Sequence, residues 1–138
     1  MRGAAVTGLA GLMVGAGIGH AVAPAYFRGM VPAWVPAPGV VVAVSGLCDV
    51  AAGALVAVPA TRTAGGWLTA GLITAYLPAH LDPLRRASTA TRPSDRWPGI
   101  VGRVLVNVGY IAWAVAVARG SRQPGPGRRA PCGPASEG

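Results

Sequence analysis

Gly17-Ile18-Gly19-His20-Ala21-Val22-Ala23-Pro24-Ala25-Tyr26-Phe27-Arg28-Gly29-Met30-Val31-Pro32 is the stretch in which the first apolar run of the chain stops. The run covers residues 4–26, carries no charged residue, has His20 within it, and is followed by Pro32, Pro36 and Pro38. Proline offers no backbone donor and fixes φ, so no helix continues through residues 28–38. A helix rises about 1.5 Å per residue and crosses a hydrocarbon core of roughly 30 Å in about 20 residues, so residues 4–26 suffice for one span. Tyr26 and Trp34 have an apolar ring with a polar tip and suit the membrane–water boundary, which makes the proline segment an interfacial connector.

Outward from this break the pattern repeats. Apolar runs cover residues 39–58, 64–81 and 99–118, separated by a short turn at Pro59–Thr63 and by an Arg-rich connector at 82–98. The reading is all-α: a transmembrane four-helix bundle in one domain, 1–119, with a disordered tail at 120–138 that has no apolar payload. A signal peptide is the competing account of the first run, since Arg2 precedes it and Ala21-Val22-Ala23 resembles a cleavage site. Pro24 fits poorly after such a site and three more runs follow, which favours a retained helix. Gly11, Gly15 and Gly19 lie four apart and are expected to form a helix-packing seam.

Composition agrees. Of 138 residues, 52% are hydrophobic and 12% charged, against about a quarter charged in ordinary soluble domains. Twelve Arg, no Lys and four acidic residues give a net charge of +8. The bases sit in connectors and the tail rather than on a folded basic face, which argues against nucleic acid as a partner. Cys48 falls in an apolar run and Cys132 in the tail, so no disulfide framework or C-x-x-C pair is expected. Four spans put both termini on one side; Arg2, Arg62, Arg119, Arg122, Arg128 and Arg129 on that side outnumber Arg28, Arg85, Arg86, Arg92 and Arg96. The expected location is a multi-pass cell-membrane protein with cytoplasmic termini.

The candidate site comes from depth. Helices one and three run toward the side of the two connectors, and helices two and four start from it. At about 1.5 Å per residue His20 lies about 9 Å below that surface, Asp49 about 15 Å and Arg103 about 6 Å, with His80 at the boundary. A carboxylate at mid-membrane costs about 2.5–3.5 kcal/mol and is expected to face protein and a partner. The expectation is an intramembrane polar cluster of Asp49, Arg103 and His20, with His80, Asn107 and Tyr110 at its edge. It serves either helix register or a ligand, and no metal-ligating spacing accompanies it.

His20, Pro24, Phe27 and Met30-Val31-Pro32, then Ser45-Gly46 with Asp49, Pro59 with Arg62, and Pro78-Ala79 together resemble the DoxX-like family of small four-helix membrane proteins. The resemblance covers residues 8–118. Asp49 stands where that family usually has Glu, His80 where it often has Asn, and Arg96-Trp97-Pro98 matches its Arg-x-Pro segment in part. The resemblance implies a membrane location and a redox neighbourhood, since some members are subunits of a thiosulfate-to-quinone oxidoreductase. The expected function is a non-catalytic accessory subunit or partner of a membrane redox complex, and the alternative is a quinone-linked oxidoreductase component. No cofactor is identified from the residues; quinone is the class that an apolar pocket near Asp49, His20 and Tyr110 admits. The expected partners are the lipid bilayer and a redox protein.

Overall fold

The computed structural model describes residues 2–89, 91 and 93–121, and among them the regular structure is entirely helical. The elements are α1 (Arg2–Val22), α2 (Pro24–Arg28), α3 (Pro38–Ala57), α4 (Arg62–Leu81) and α5 (Trp97–Gly120), with single 3-10 turns at Asp82–Arg86 and Pro93–Asp95. The tail from residue 122, expected to be disordered, lies outside the described residues together with Cys132.

The first helix ends at Val22 rather than at residue 26. The Ala23 amide still donates to the Gly19 carbonyl at 2.9 Å. Pro24 has no N–H for the His20 carbonyl, so the ladder stops there and the chain bends at Ala23. Pro24 then opens α2, a single helical turn at a position where a missing donor is harmless. That turn carries Phe27 back onto His20, their ring centroids 3.9 Å apart. Pro78 has the opposite outcome and stays within α4, which runs on to Leu81.

Helix α1 packs along α3, α3 against α4, and α4 along α5. Close backbone approach explains which glycines matter. A Cβ on Gly17 would lie 2.5 Å from the Gly46 carbonyl oxygen, and one on Gly65 2.5 Å from the Val56 amide nitrogen. Gly11 and Gly15 instead face open space, and Gly19 meets only the Phe27 ring, at 3.5 Å. The α1–α3 seam is therefore built on Gly17, Gly46 and Gly53 and not on the expected four-residue repeat. Helices α1 and α5 touch mainly through Trp113, whose indole Nε1 donates to the Ala5 carbonyl at 3.1 Å.

The α3–α4 turn is closed by its own side chains. Thr61 Oγ1 donates to the Leu55 carbonyl at 2.9 Å, and the Arg62 guanidinium donates to those of Val56 and Ala57 at 3.1 and 3.2 Å. These are carbonyls that the end of a helix leaves without an intrahelical donor.

Leu9, Val56, Ala70, Ala114 and Val117 form one buried cluster, and Met13, Ala52 and Ile73 a second. The outer surface is equally apolar: Leu47 is 72% exposed and Leu105 64%. Gly3–Val22, Pro38–Ala57 and Trp97–Gly120 are long and apolar enough to cross a membrane. Helix α4 is as long as α3 but carries Thr63, Thr69, Thr74, Tyr76 and His80, and falls outside that set.

Candidate functional site

The site forms where the ends of α1 and α4 meet the first turns and middle of α3. Asp49, on the α3 face that packs between α1 and α4, is 2% exposed. Its Oδ1 accepts a hydrogen bond from the Tyr76 hydroxyl of α4 at 3.0 Å. That hydroxyl also lies 3.5 Å from the Ser45 carbonyl one turn earlier on α3. His20 approaches from α1, its Nδ1 3.7 Å from Asp49 Oδ2.

The two contacts to Asp49 differ in kind. Tyr76 is within hydrogen-bond distance, whereas 3.7 Å is too long for one. His20 Nδ1 lies 2.8 Å from the Ala16 carbonyl, so the ring donates there. Its interaction with Asp49 is therefore through space, and strong only when the imidazole is charged. Stacking on Phe27 fixes the plane of the ring, and the Gly46 backbone beside it fixes its distance: a Cβ on Gly46 would lie 2.8 Å from His20 Cβ.

Next to this triad lies a cavity of about 170 Å³, walled by His20, Phe27, Ser45, Tyr76 and His80 among others. An apolar cavity of roughly 150 Å³ admits one benzene ring, which sets the scale of any occupant. The His80 Nδ1 is buried with no hydrogen-bond partner among the described residues. A buried imidazole nitrogen left so costs on the order of 1–3 kcal/mol relative to a paired one.

Of the residues singled out from the sequence, the structure brings His20 and Asp49 together and sets His80 on the same cavity. Arg103 does not pair with Asp49. Its Nη2 donates to Asp95 Oδ1 at 3.3 Å, in the turn that leads into α5. An ion pair near the surface avoids most of the desolvation that pairing beside Asp49 would demand, so the expected Asp49–Arg103 partnership is replaced by this one. Asn107 Nδ2 donates to the Arg103 carbonyl at 2.8 Å, a bond within α5. Tyr110 packs on the Met13–Ala52–Ile73 cluster. The edge of the cluster expected from α5 thus belongs to α4.

Tyr76 was not singled out by the sequence, although a signal for it exists. Thr69, Ile73, Tyr76 and His80 recur at helical spacing, and the first two are buried. The face that continues from them through Tyr76 reaches the cavity. Cys48 is a free, half-buried thiol. Among the described residues no group of three or more His, Cys, Asp or Glu side chains is arranged to hold a metal ion.

Among known families, the model described as Domain of unknown function (DUF8561) matches residues 9–118. That range runs from α1 to the last turns of α5 and includes every residue of the site. No curated protein and no solved structure matches the chain.

Proposed function

Starting from the fact that the chain belongs to the DUF8561 family, we propose that it is a multi-pass membrane protein that holds a quinone-class ring as an accessory subunit of a membrane redox complex. The observation that carries this reading is the ring-sized cavity of about 170 Å³ with His20, Tyr76 and His80 on its wall and the buried Asp49 behind them. Apolar pockets with a few placed polar groups are the usual form of small-molecule sites. A quinone offers a flat ring for the Phe27 side and carbonyl oxygens that accept from an imidazole N–H, which His80 supplies in one tautomer.

A bilayer accounts for the outward Leu47 and Leu105, which water would leave as an exposed apolar surface. In this reading α4 is the fourth span, lying between α3 and α5, with buried Thr69 and half-buried Tyr76 against protein and the exposed Thr74 hydroxyl satisfied by the Ala70 carbonyl of its own helix. The excess of arginine on the terminal side favours cytoplasmic termini. The resemblance to the DoxX-like family supports the redox half of the proposal. Electrons for the ring come from a partner redox protein, and this chain binds the ring and orients it.

The test is binding of a short-chain quinone to the protein in lipid nanodiscs. His80→Phe, which removes the ring nitrogens and keeps the bulk, is expected to weaken binding about tenfold, the equivalent of ~1.4 kcal/mol. Equal affinity of the wild type and His80→Phe removes the ring from this cavity.

A further inference from the structure

A second chamber of about 490 Å³ lies on the connector side of the first. Its walls include Asp82, Asp95 and Arg103, so it is polar where the inner chamber is mainly apolar. The two share three wall residues, Met30, Val31 and Ala79. Ala79 sits on α4 one residue before His80, and its small side chain makes this the thinnest side-chain part of the shared wall. Met30 and Val31 belong to the segment after α2, where successive turns tie the Met30 amide to the Phe27 carbonyl at 3.0 Å and the Val31 amide to that of Arg28 at 3.2 Å. One side of the shared wall is therefore a helix and the other a turn held by two single backbone bonds.

We infer that Met30, Val31 and Ala79 form a port through which the inner chamber exchanges water and protons with solvent on the connector side, and that the outer chamber with Asp82, Asp95 and Arg103 is its vestibule. The inference rests on the proposed ring site and says what that site needs. A quinone reduced to a quinol gains two electrons and two protons; the electrons come from the partner redox protein, and the protons must arrive from water. Asp49, 2% exposed, is too enclosed to meet bulk water directly, and the vestibule lies one wall away from the chamber that His20 lines. The polar lining keeps that approach wet, and the three shared side chains set how wide it opens.

Thiol labelling in reconstituted full-length protein tests the port without depending on any quinone. In a Cys48→Ala, Cys132→Ser background, Ser45→Cys places a thiol on the inner chamber and Ala33→Cys one on the vestibule. A membrane-impermeant trimethylammonium-ethyl methanethiosulfonate is added from the connector side. Both thiols are expected to react, the inner one more slowly. Ala79→Leu is expected to slow the inner thiol about tenfold, as ~1.4 kcal/mol added to the barrier would, and to leave the vestibule thiol unchanged. Met30→Ala is expected to speed the inner thiol, which guards against a slowing caused only by poor folding. The port is overturned if the inner thiol stays unlabelled while the vestibule thiol reacts, or if neither substitution changes its rate. Protection of the inner thiol by a short-chain quinone is read separately: its absence with the port behaviour intact removes the ring and leaves the port standing.

Discussion

The Tyr76 hydroxyl of α4 donates to Asp49 of α3 at 3.0 Å and lies 3.5 Å from the Ser45 carbonyl, so one phenol ties two helices at the point where the carboxylate is most enclosed. A carboxylate deprived of its donor in such a place bears a desolvation cost that water no longer relieves. Tyr76→Phe is expected to lower stability by about 1–3 kcal/mol, read by thermal unfolding in mild detergent. In the Asp49→Asn background the same change should cost less, and the difference is the coupling of the pair. A Tyr76→Phe variant that melts with the wild type would mean that the bond carries no energy.

The glycines separate into two groups that the same assay distinguishes. Gly46→Ala would put a methyl 2.8 Å from His20 Cβ and 3.1 Å from the Gly17 carbonyl oxygen. Neither neighbour is the free end of a flexible chain, so α1 and α3 must part, and overpacking of this kind costs roughly 1–3 kcal/mol. The displacement also shifts His20 against Asp49, and ring binding should fall together with stability. Gly11→Ala and Gly15→Ala meet nothing within 4 Å. Each is expected to hold or raise the melting temperature, because alanine favours a helix by up to about 1 kcal/mol over glycine.

These two predictions show how far the sequence could be read. The helices were legible in the apolar runs and prolines, and counting residues toward one end of the bundle was enough to bring Asp49 and His20 to one level, where the structure has them 3.7 Å apart. Depth does not give rotation about the helix axis, and rotation decides partners. Counting residues sets Arg103 and Asp49 toward the same end of the bundle, yet Arg103 turns to Asp95, eight residues earlier in its own chain segment. Tyr76 stands in the closing residues of the third apolar run with nothing local to mark it, and only its register with buried Thr69 and Ile73 betrays that it faces inward. Likewise a four-residue glycine repeat marks one face of α1, but which face meets α3 depends on the partner's glycines, Gly46 and Gly53, that the repeat does not contain.

Arg103 and Asp95 are each partly exposed, with 26% and 33% of the side chain accessible. Exposed ion pairs contribute about 0.2–1 kcal/mol, and salt weakens them. The coupling between Arg103→Gln and Asp95→Asn, read by thermal unfolding, is expected to be no more than this. Combined with Asp49→Asn the effect of Arg103→Gln should be additive, since Asp49 bonds to Tyr76 and faces His20 rather than Arg103. A coupling well above about 0.5 kcal/mol would place Arg103 in the Asp49 cluster after all.

Ala37 precedes α3 with φ 50, the one positive φ among the described non-glycine residues. A Cβ makes the left-handed region costly by about 1–2 kcal/mol, and Pro38 further restricts the residue before it to extended conformations. The strain is held by the amides of Val40 and Val41, which both donate to the Ala37 carbonyl, at 2.9 and 3.2 Å, and so open α3. Ala37→Gly removes the steric conflict and keeps these bonds, but it also frees the unfolded chain, an opposing effect of about 0.4–1 kcal/mol. The first term is the larger, so the variant is expected to melt at or slightly above the wild-type temperature. Ala37→Val, whose branched side chain is less tolerant of this conformation, should melt clearly below it. If Ala37→Gly instead destabilises as much as Ala37→Val, residue 37 is not left-handed in the folded protein, and the entry into α3 differs from the one described.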